Sequence, residues 1–310
     1  MATEPMLAAL DVSLLSRPRE APSSVLADYW ALTKPEVNFL IVITTFAGFC
    51  LGSGAGWQDF PLLRAINAIF GTLLVASGTG TLNQYIERVF DAQMRRTARR
   101  PLAAGRLNPS AALWFGSALS ILGGIYLALT VNPLTSALAI GTLLSYLFLY
   151  TPLKRKSPLC TLVGAFPGAM PPLIGWAAAS GQLNLQAWML YAVLLLWQFP
   201  HFMAIAWMYR EDYARASYLV LPEDDEPRTR FVKLQTLLPL LALVPLSLLP
   251  VLKGRPSAFY FTGAFILSTV FLHYGAEFLR NKSNSAARRL LNASIIYLPL
   301  LFILMIISRN

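Results

Sequence analysis

LLRAINAIFGTLLVASGTGTLNQYIERVFDAQMRRTARRPL occupies residues 62–102. Its first half, up to Leu82, carries a single charge, Arg64. A helix that crosses the hydrocarbon core needs about 20 such apolar residues. The second half is dense in acids and arginines, from Glu87 to Arg100. The chain thus places a charged, helically spaced segment directly at the mouth of a membrane span.

The rest of the sequence agrees with a membrane setting. Of 310 residues, 56% are hydrophobic and 13% charged, with a mean hydropathy of +0.55. Soluble domains carry about 25% charged residues, so the charge is too sparse to coat a globule. The expected fold class is an all-α polytopic membrane protein. Nine spans are expected at roughly 37–55, 62–82, 111–130, 134–151, 159–179, 187–209, 231–252, 258–279 and 288–308. Residues 1–30 hold no long apolar stretch and four acids, so they are expected to form a mobile cytoplasmic tail without a cleavable leader. Residues 31–310 form the transmembrane domain. Cys50 and Cys160 sit in apolar runs and read as packing residues.

The net charge of +10 reports topology rather than nucleic acid, and no nucleic-acid partner is expected. With nine spans, 25 basic residues divide unequally between the two sides. Only Arg64, Lys253, Arg255 and Arg309 fall on the bland side. By the positive-inside rule the N-terminus is cytoplasmic and the C-terminus outside. Asp59 is the one acid on the outer side. Acids scarcely influence topology, so their gathering on the cytoplasmic face points to chemistry there.

Asn83, Glu87 and Asp91 are spaced i, i+4, i+8. They fall within roughly 80° on one helical face. Stacked oxygen ligands near the water boundary suit Mg²⁺, which keeps several waters and is often shared with substrate phosphates. Arg95, Arg96, Arg99 and Arg100 follow at once. Guanidinium forks match phosphate geometry. Together the two halves describe a cradle for a magnesium diphosphate. The competing reading is a solvated loop in which acids and arginines merely pair.

Other segments on the same side join this site. In LTKPEV (32–37), Thr33 is expected to cap the first span, with Pro35 in its first turn. Lys34 then points to the headgroups, as an anchor or a phosphate ligand. In YTPLKRKSP (150–158), Pro152 breaks the helix and projects Lys154, Arg155 and Lys156. PGAMPPLIGW (167–176) interrupts a span, either to line a cavity or to pack helices closely. In WQFPHFMAIAWMYREDY (197–213), His201 and Asp212 are eleven residues apart, within about 20° of one face. Arg210, Glu211 and Asp212 end that span level with the first acidic cluster. His273 and Glu277 share a helix face and read as a pair. The run Glu223–Glu226 reads as solvated loop charge.

These motifs resemble the UbiA superfamily of intramembrane prenyltransferases, and within it the haem-farnesylating branch. The likeness runs from LTKPEV to the last span. Its carriers are TKPEV, the ladder entering MRRTARRPL, YTPLKRKSP, PPLIGW and WQFPHFMAIAWMYREDYARAS. The resemblance implies a bundle of nine helices around a central cavity that opens to the cytoplasmic side of the bacterial inner membrane. It implies Mg²⁺ as cofactor, with Asn83, Glu87, Asp91 and Asp212 as catalytic metal ligands and Glu211 beside them. Lys34, Arg95, Arg96, Arg99, Arg100, Lys154, Arg155 and Arg210 would hold the diphosphate. His201 and Tyr209 would meet haem, His201 at iron, at a propionate or as a structural residue. The implied reaction joins haem B, farnesyl diphosphate and water to give haem O and diphosphate. The lipid bilayer is the solvent, and a handover partner in haem A synthesis would receive the product. Two departures stand out. Glu87 replaces the usual aspartate, and Met208 lies four residues before Asp212 where a second aspartate is common. The rival readings are another aromatic or tetrapyrrole acceptor, an anion transporter, and a haem-binding assembly protein.

Overall fold

The structure, a computed structural model, describes residues 24–54, 56, 58–249 and 257–308. Residues 1–23 of the expected tail lie outside the described residues, as do Arg17, Arg19, Lys253, Arg255 and Arg309 of the charge map. Among the described residues every regular element is a helix. Four of them are α1 (Val25–Leu32), α2 (Pro35–Ser53), α3 (Leu62–Asp91) and α4 (Pro109–Thr130). The next are α5 (Pro133–Ser145), the single turn α6 (Thr151–Leu153), α7 (Cys160–Gly168), α8 (Met170–Ser180) and α9 (Leu185–Met208). Then follow α10 (Arg210–Arg215), α11 (Asp225–Leu248), α12 (Ala258–Asn281) and α13 (Asn284–Ile307). Nine segments among the described residues are long and apolar enough to cross a membrane, with α5–α6 and α7–α8 each forming one.

Local chemistry starts these helices. Asn108, Asn132, Asn184, Ser257 and Ser283 each accept a backbone N–H of the following turn. Pro35, Pro109 and Pro133 occupy first-turn positions, where a missing N–H costs nothing. Thr33 departs from expectation. It closes α1, its hydroxyl donating to the Trp30 carbonyl at 2.7 Å, and does not cap α2. Lys34 stands in the α2 cap position with φ of 54°, because only a left-handed residue turns the chain this tightly between two helices. The helix α1 also lies inside the segment expected as tail, and Arg106 grips its Asp28 through a fork of hydrogen bonds of 2.9–3.1 Å.

Two packing groups build the bundle. In the first, α3 runs along α4, and α2 crosses α8. In the second, α9, α11, α12 and α13 pack pairwise around the largest apolar core. The Pro-rich span serves close packing. From Pro171 to Ala178 every residue is buried. Gly175 lies against the Thr45 carbonyl and Gly48 against Pro172, so the backbones of α2 and α8 touch. Near the break at Ala169 between α7 and α8, Gln198 of α9 donates to Ala165 O of α7 at 3.1 Å. Cys50 and Cys160 are buried thiols not joined in a disulfide.

Three sequence readings are adjusted here. α3 continues to Asp91, well past its apolar stretch, so the ladder is helical throughout. The Glu223–Glu226 run is half helix, since Asp225 and Glu226 form the first turn of α11, where negative charge favours the dipole. His273 does not pair with Glu277. Glu277 is taken by Arg289 of α13, whose guanidinium reaches both carboxylate oxygens, while His273 is exposed.

The α2–α8 crossing yields a first prediction. Gly175→Val places side-chain atoms inside the Thr45 backbone and should cost about 2 kcal/mol or more, as overpacking does. Thermal unfolding in detergent reads this. An unchanged midpoint would mean that the two helices are not in backbone contact.

Candidate functional site

The α3 ladder faces inward. Asn83, Glu87 and Asp91 are 1%, 4% and 1% exposed, so the charged end of this span points into the bundle and not at water. Buried carboxylates need partners, and each rung has one. Lys34 Nζ donates to Asn83 Oδ1 at 2.6 Å, correcting the expectation that it points to the headgroups. The Asn83 amide N–H donates to Thr151 Oγ1 at 3.3 Å. Lys154 Nζ meets Glu87 Oε1 at 2.7 Å, and Arg100 Nη1 meets Asp91 Oδ2 at 2.7 Å. The other Asp91 oxygen, Oδ1, is buried and has no partner among the described residues.

Three loops deliver these cations. Lys34 turns inward because of its left-handed backbone. Lys154 arrives through a π-helical turn, Tyr146–Tyr150, that absorbs the N–H missing at Pro152. In that turn Thr151 reaches back to the Tyr146 carbonyl through both its N–H and its hydroxyl. Arg100 returns along a series of turns after α3, anchored by Thr97 Oγ1 on Asp91 O at 2.9 Å and by the buried Met94. Those turns also present the Arg96 N–H to Asp212 Oδ2 at 3.2 Å. Asp212 is buried and pairs with Arg215. The second motif therefore meets the first through backbone. Leu219 N donates to Lys154 O at 2.7 Å and joins the α10–α11 loop to the same place.

The electrostatics follow from burial. Lys34 is half-buried; burial, and then Arg100, push its ammonium down to about 7, with Glu87 and Asp91 opposing. Burial also pulls Lys154 down, but the Glu87 carboxylate outweighs it and holds Lys154 well above the ordinary lysine value. Tyr218 is pushed up by burial and by the Glu87 charge. A cavity of about 400 Å³ lies here, lined by Glu87, Phe90, Thr151, Arg155 and Tyr218 among others.

The remaining expected residues are placed unevenly. Arg96 lies over the rings of Tyr209 and Tyr213 at 5.0 and 5.9 Å. Arg155 lies over Phe90 at 4.3 Å. Arg95, Arg99 and Glu211 are exposed. Arg210 turns away to the Trp207 carbonyl and Asn284 Oδ1, at 2.8 and 2.9 Å. His201 stacks on Trp197 with centroids 4.7 Å apart, and its Nδ1 lies 2.8 Å from Ser294 Oγ. The Ser294 hydroxyl donates to Leu291 O at 2.5 Å. With that hydrogen on Leu291 O, the matching tautomer has Nδ1–H as donor and Nε2 with its lone pair. Thr151, Tyr146, Tyr150, Tyr218 and Ser294 are additions that sequence reasoning missed. Only the Tyr-Thr-Pro turn at 150–152 hinted at Thr151 and Tyr150.

Among the described residues no three His, Cys, Asp or Glu side chains converge closely enough to hold a metal ion by themselves. The donor set is nonetheless all oxygen, with one Asp91 oxygen unclaimed, and each carboxylate is neutralised by a cation of phosphate-binding type. Such a site can exchange partners: cations to phosphate oxygens, carboxylates to a hard metal shared with them.

A family model described as "UbiA prenyltransferase family" matches residues 41–304. The chain is 48% identical over 288 residues to the protein named "Protoheme IX farnesyltransferase" of Solibacter usitatus (strain Ellin6076), covering 91% of this chain and 98% of that one. It is 40% identical over 306 residues to the protein of the same name from Koribacter versatilis (strain Ellin345), covering 96% and 97%. Among solved structures it resembles a digeranylgeranylglyceryl phosphate synthase, with a TM-score of 0.73 at 18% identity over 92% of this chain and 98% of that one. It also resembles a UbiA homolog from Archaeoglobus fulgidus bound to DMAPP and Mg²⁺, with a TM-score of 0.58 at 13% identity over 90% and 99%. These two likenesses concern the fold.

The Glu87–Lys154 pair yields a second prediction. Lys154→Met strands a buried carboxylate and should cost about 3 kcal/mol or more. The double variant Glu87→Met/Lys154→Met should recover most of that stability in a thermal double-mutant cycle, yet remain inactive. Additive losses would show that the pair is not coupled.

Proposed function

The chain belongs to the UbiA prenyltransferase family, and we propose that it transfers the farnesyl group of farnesyl diphosphate to a vinyl group of haem B. Water adds in the same reaction, and the products are haem O and diphosphate. The observation that carries this reading is the match, nearly end to end and at up to 48% identity, to proteins named protoheme IX farnesyltransferase.

The residues divide the work. Lys34, Lys154 and Arg100 stand beside the ladder, with Arg96 next to Asp212, and they take up charge on the diphosphate as the allylic C–O bond lengthens. Arg95, Arg99 and Arg155 supply further forks at the mouth, and Arg210 would have to leave Asn284 to join them. The ladder residues Asn83, Glu87 and Asp91, with Asp212 and its neighbour Glu211, would hold Mg²⁺, and the unclaimed Asp91 oxygen fits that role. When bound, Mg²⁺ supplies Lewis-acid neutralisation of the leaving diphosphate. Tyr146 and Tyr150 pack with ring centroids 5.0 Å apart, and the Tyr150 face holds the Lys154 ammonium at 4.6 Å, which keeps that cation at the site. The farnesyl carbon then bonds to the vinyl terminus. Water captures the cation left beside the pyrrole and releases a proton, so no strong base is needed for carbon–carbon bond formation.

His201, with Nε2 free to accept, suits haem iron, and Tyr209 lies further along the same helical end. The basic-residue asymmetry supports a cytoplasmic N-terminus and an outer C-terminus in the bacterial inner membrane. Haem O carries a long apolar tail, so a membrane-embedded handover partner in haem A synthesis is its natural recipient.

The test is a product assay. Membranes holding this chain, given haem B, farnesyl diphosphate and Mg²⁺, should yield a haem heavier by one farnesyl and one hydroxyl, its vinyl converted to a hydroxyethylfarnesyl group, and EDTA should abolish it. Farnesyl diphosphate consumed without a new haem would move the acceptor elsewhere. Asp91→Asn should abolish turnover while the thermal midpoint stays near wild type; full activity would remove Asp91 from the site. His201→Ala should weaken haem use more than farnesyl diphosphate binding, and equal haem affinity would count against the assignment.

A further inference from the structure

A second cavity, of about 360 Å³, lies among the basic ends of α9, α11 and α12, and no residue of the ladder lines it. Lys233 of α11 lines it, with Arg280 and Lys282 at the end of α12. Trp207 and Phe278 also line it, their rings meeting edge to face with centroids 5.8 Å apart. No acidic side chain is among its lining residues. Glu277, the acid closest in sequence to Arg280, is occupied by Arg289. All three cations are exposed.

An oxygen-rich anion in this cavity would neutralise the three cations at once. A second observation points the same way. Just beyond Lys233, α11 exposes Leu234, Leu238 and Leu241 at helical spacing, an apolar strip that continues from the basic end into the membrane.

We propose that this cavity binds the phosphate head group of an anionic phospholipid of the basic-side leaflet. Lys233, Arg280 and Lys282 hold the phosphate oxygens, and an acyl chain lies along the α11 leucines. Basic pockets between spans are where such head groups settle. A prenyl diphosphate is a poorer occupant, because no carboxylate is present to share its metal. The inference is independent of the acceptor assigned above.

The experiment uses the purified full chain, stripped of lipid in detergent. Native mass spectrometry follows titration with dioleoyl phosphatidylglycerol and, separately, dioleoyl phosphatidylcholine. Wild type should retain phosphatidylglycerol at lower concentration than phosphatidylcholine. Lys233→Gln, Arg280→Gln and Lys282→Gln should each weaken that retention by roughly fivefold. Thermal midpoints near wild type confirm that the variants fold. Equal retention by wild type and the triple lysine–arginine variant overturns the proposal. Displacement of the lipid by millimolar inorganic phosphate makes this a free-anion site, and displacement by haem B makes it a substrate pocket; either result overturns it too.

Discussion

A carboxylate inside a membrane bundle stays ionised only with a cation against it, and α3 carries two. Much of the architecture of one end of the molecule follows from that constraint. Lys154 can reach Glu87 because the chain before it widens into a π turn. Arg100 can reach Asp91 because the chain after α3 folds back on itself. Lys34 reaches Asn83 only by adopting a backbone that lysine rarely takes. Asp212 follows the same rule, with Arg215 and the Arg96 N–H. Strain and irregularity gather around the ladder, while Asn108, Asn132, Asn184, Ser257 and Ser283 start other helices as ordinary caps.

In the proposed function the pairing would let one site tolerate charge before and after substrate arrives. With no substrate, cations and carboxylates neutralise one another and the interior is not left with a bare ion. A diphosphate would bring negative charge and a divalent cation positive charge, so every internal partner could be released without exposing an unpaired one. The same cations stand close to apolar and aromatic walls, where an electrostatic contact is worth more than it is in water.

The spans and the ladder were legible in the sequence because both are periodic. Apolar length marks a crossing, and i, i+4, i+8 marks a face. The side of the bundle that a face meets has no such signature, so Lys34 read as pointing to the headgroups, as an anchor or a phosphate ligand, and instead turns inward to Asn83. Glu277 illustrates the limit in another way. His273 is its neighbour on the same helix, but Arg289 comes from the next one, and tertiary contacts outrank helical spacing. The π turn left only a Thr-Pro pair as a trace. Ser294, the Nδ1 partner of His201, lies 93 residues away on an apolar helix and carries no local signal. Tyr218 owes its position to a loop tied by the backbone bond from Leu219 to Lys154, and backbone bonds are invisible to residue patterns.

Gln198 of α9 reaches into α7 at the Ala165 carbonyl, about one turn before the break between α7 and α8. It also donates to its own helix at Leu194 O, 3.2 Å away. An amide that spends both its hydrogens this way resists axial sliding and rotation of α9 against α7. Spans usually answer a thicker or thinner bilayer by tilting or sliding past their neighbours. Here such sliding would tear a buried amide from its carbonyl, and His201 sits less than one turn further along the same helix. The depth of His201 relative to the α7–α8 break is therefore set by the protein, not by the thickness of the lipid around it.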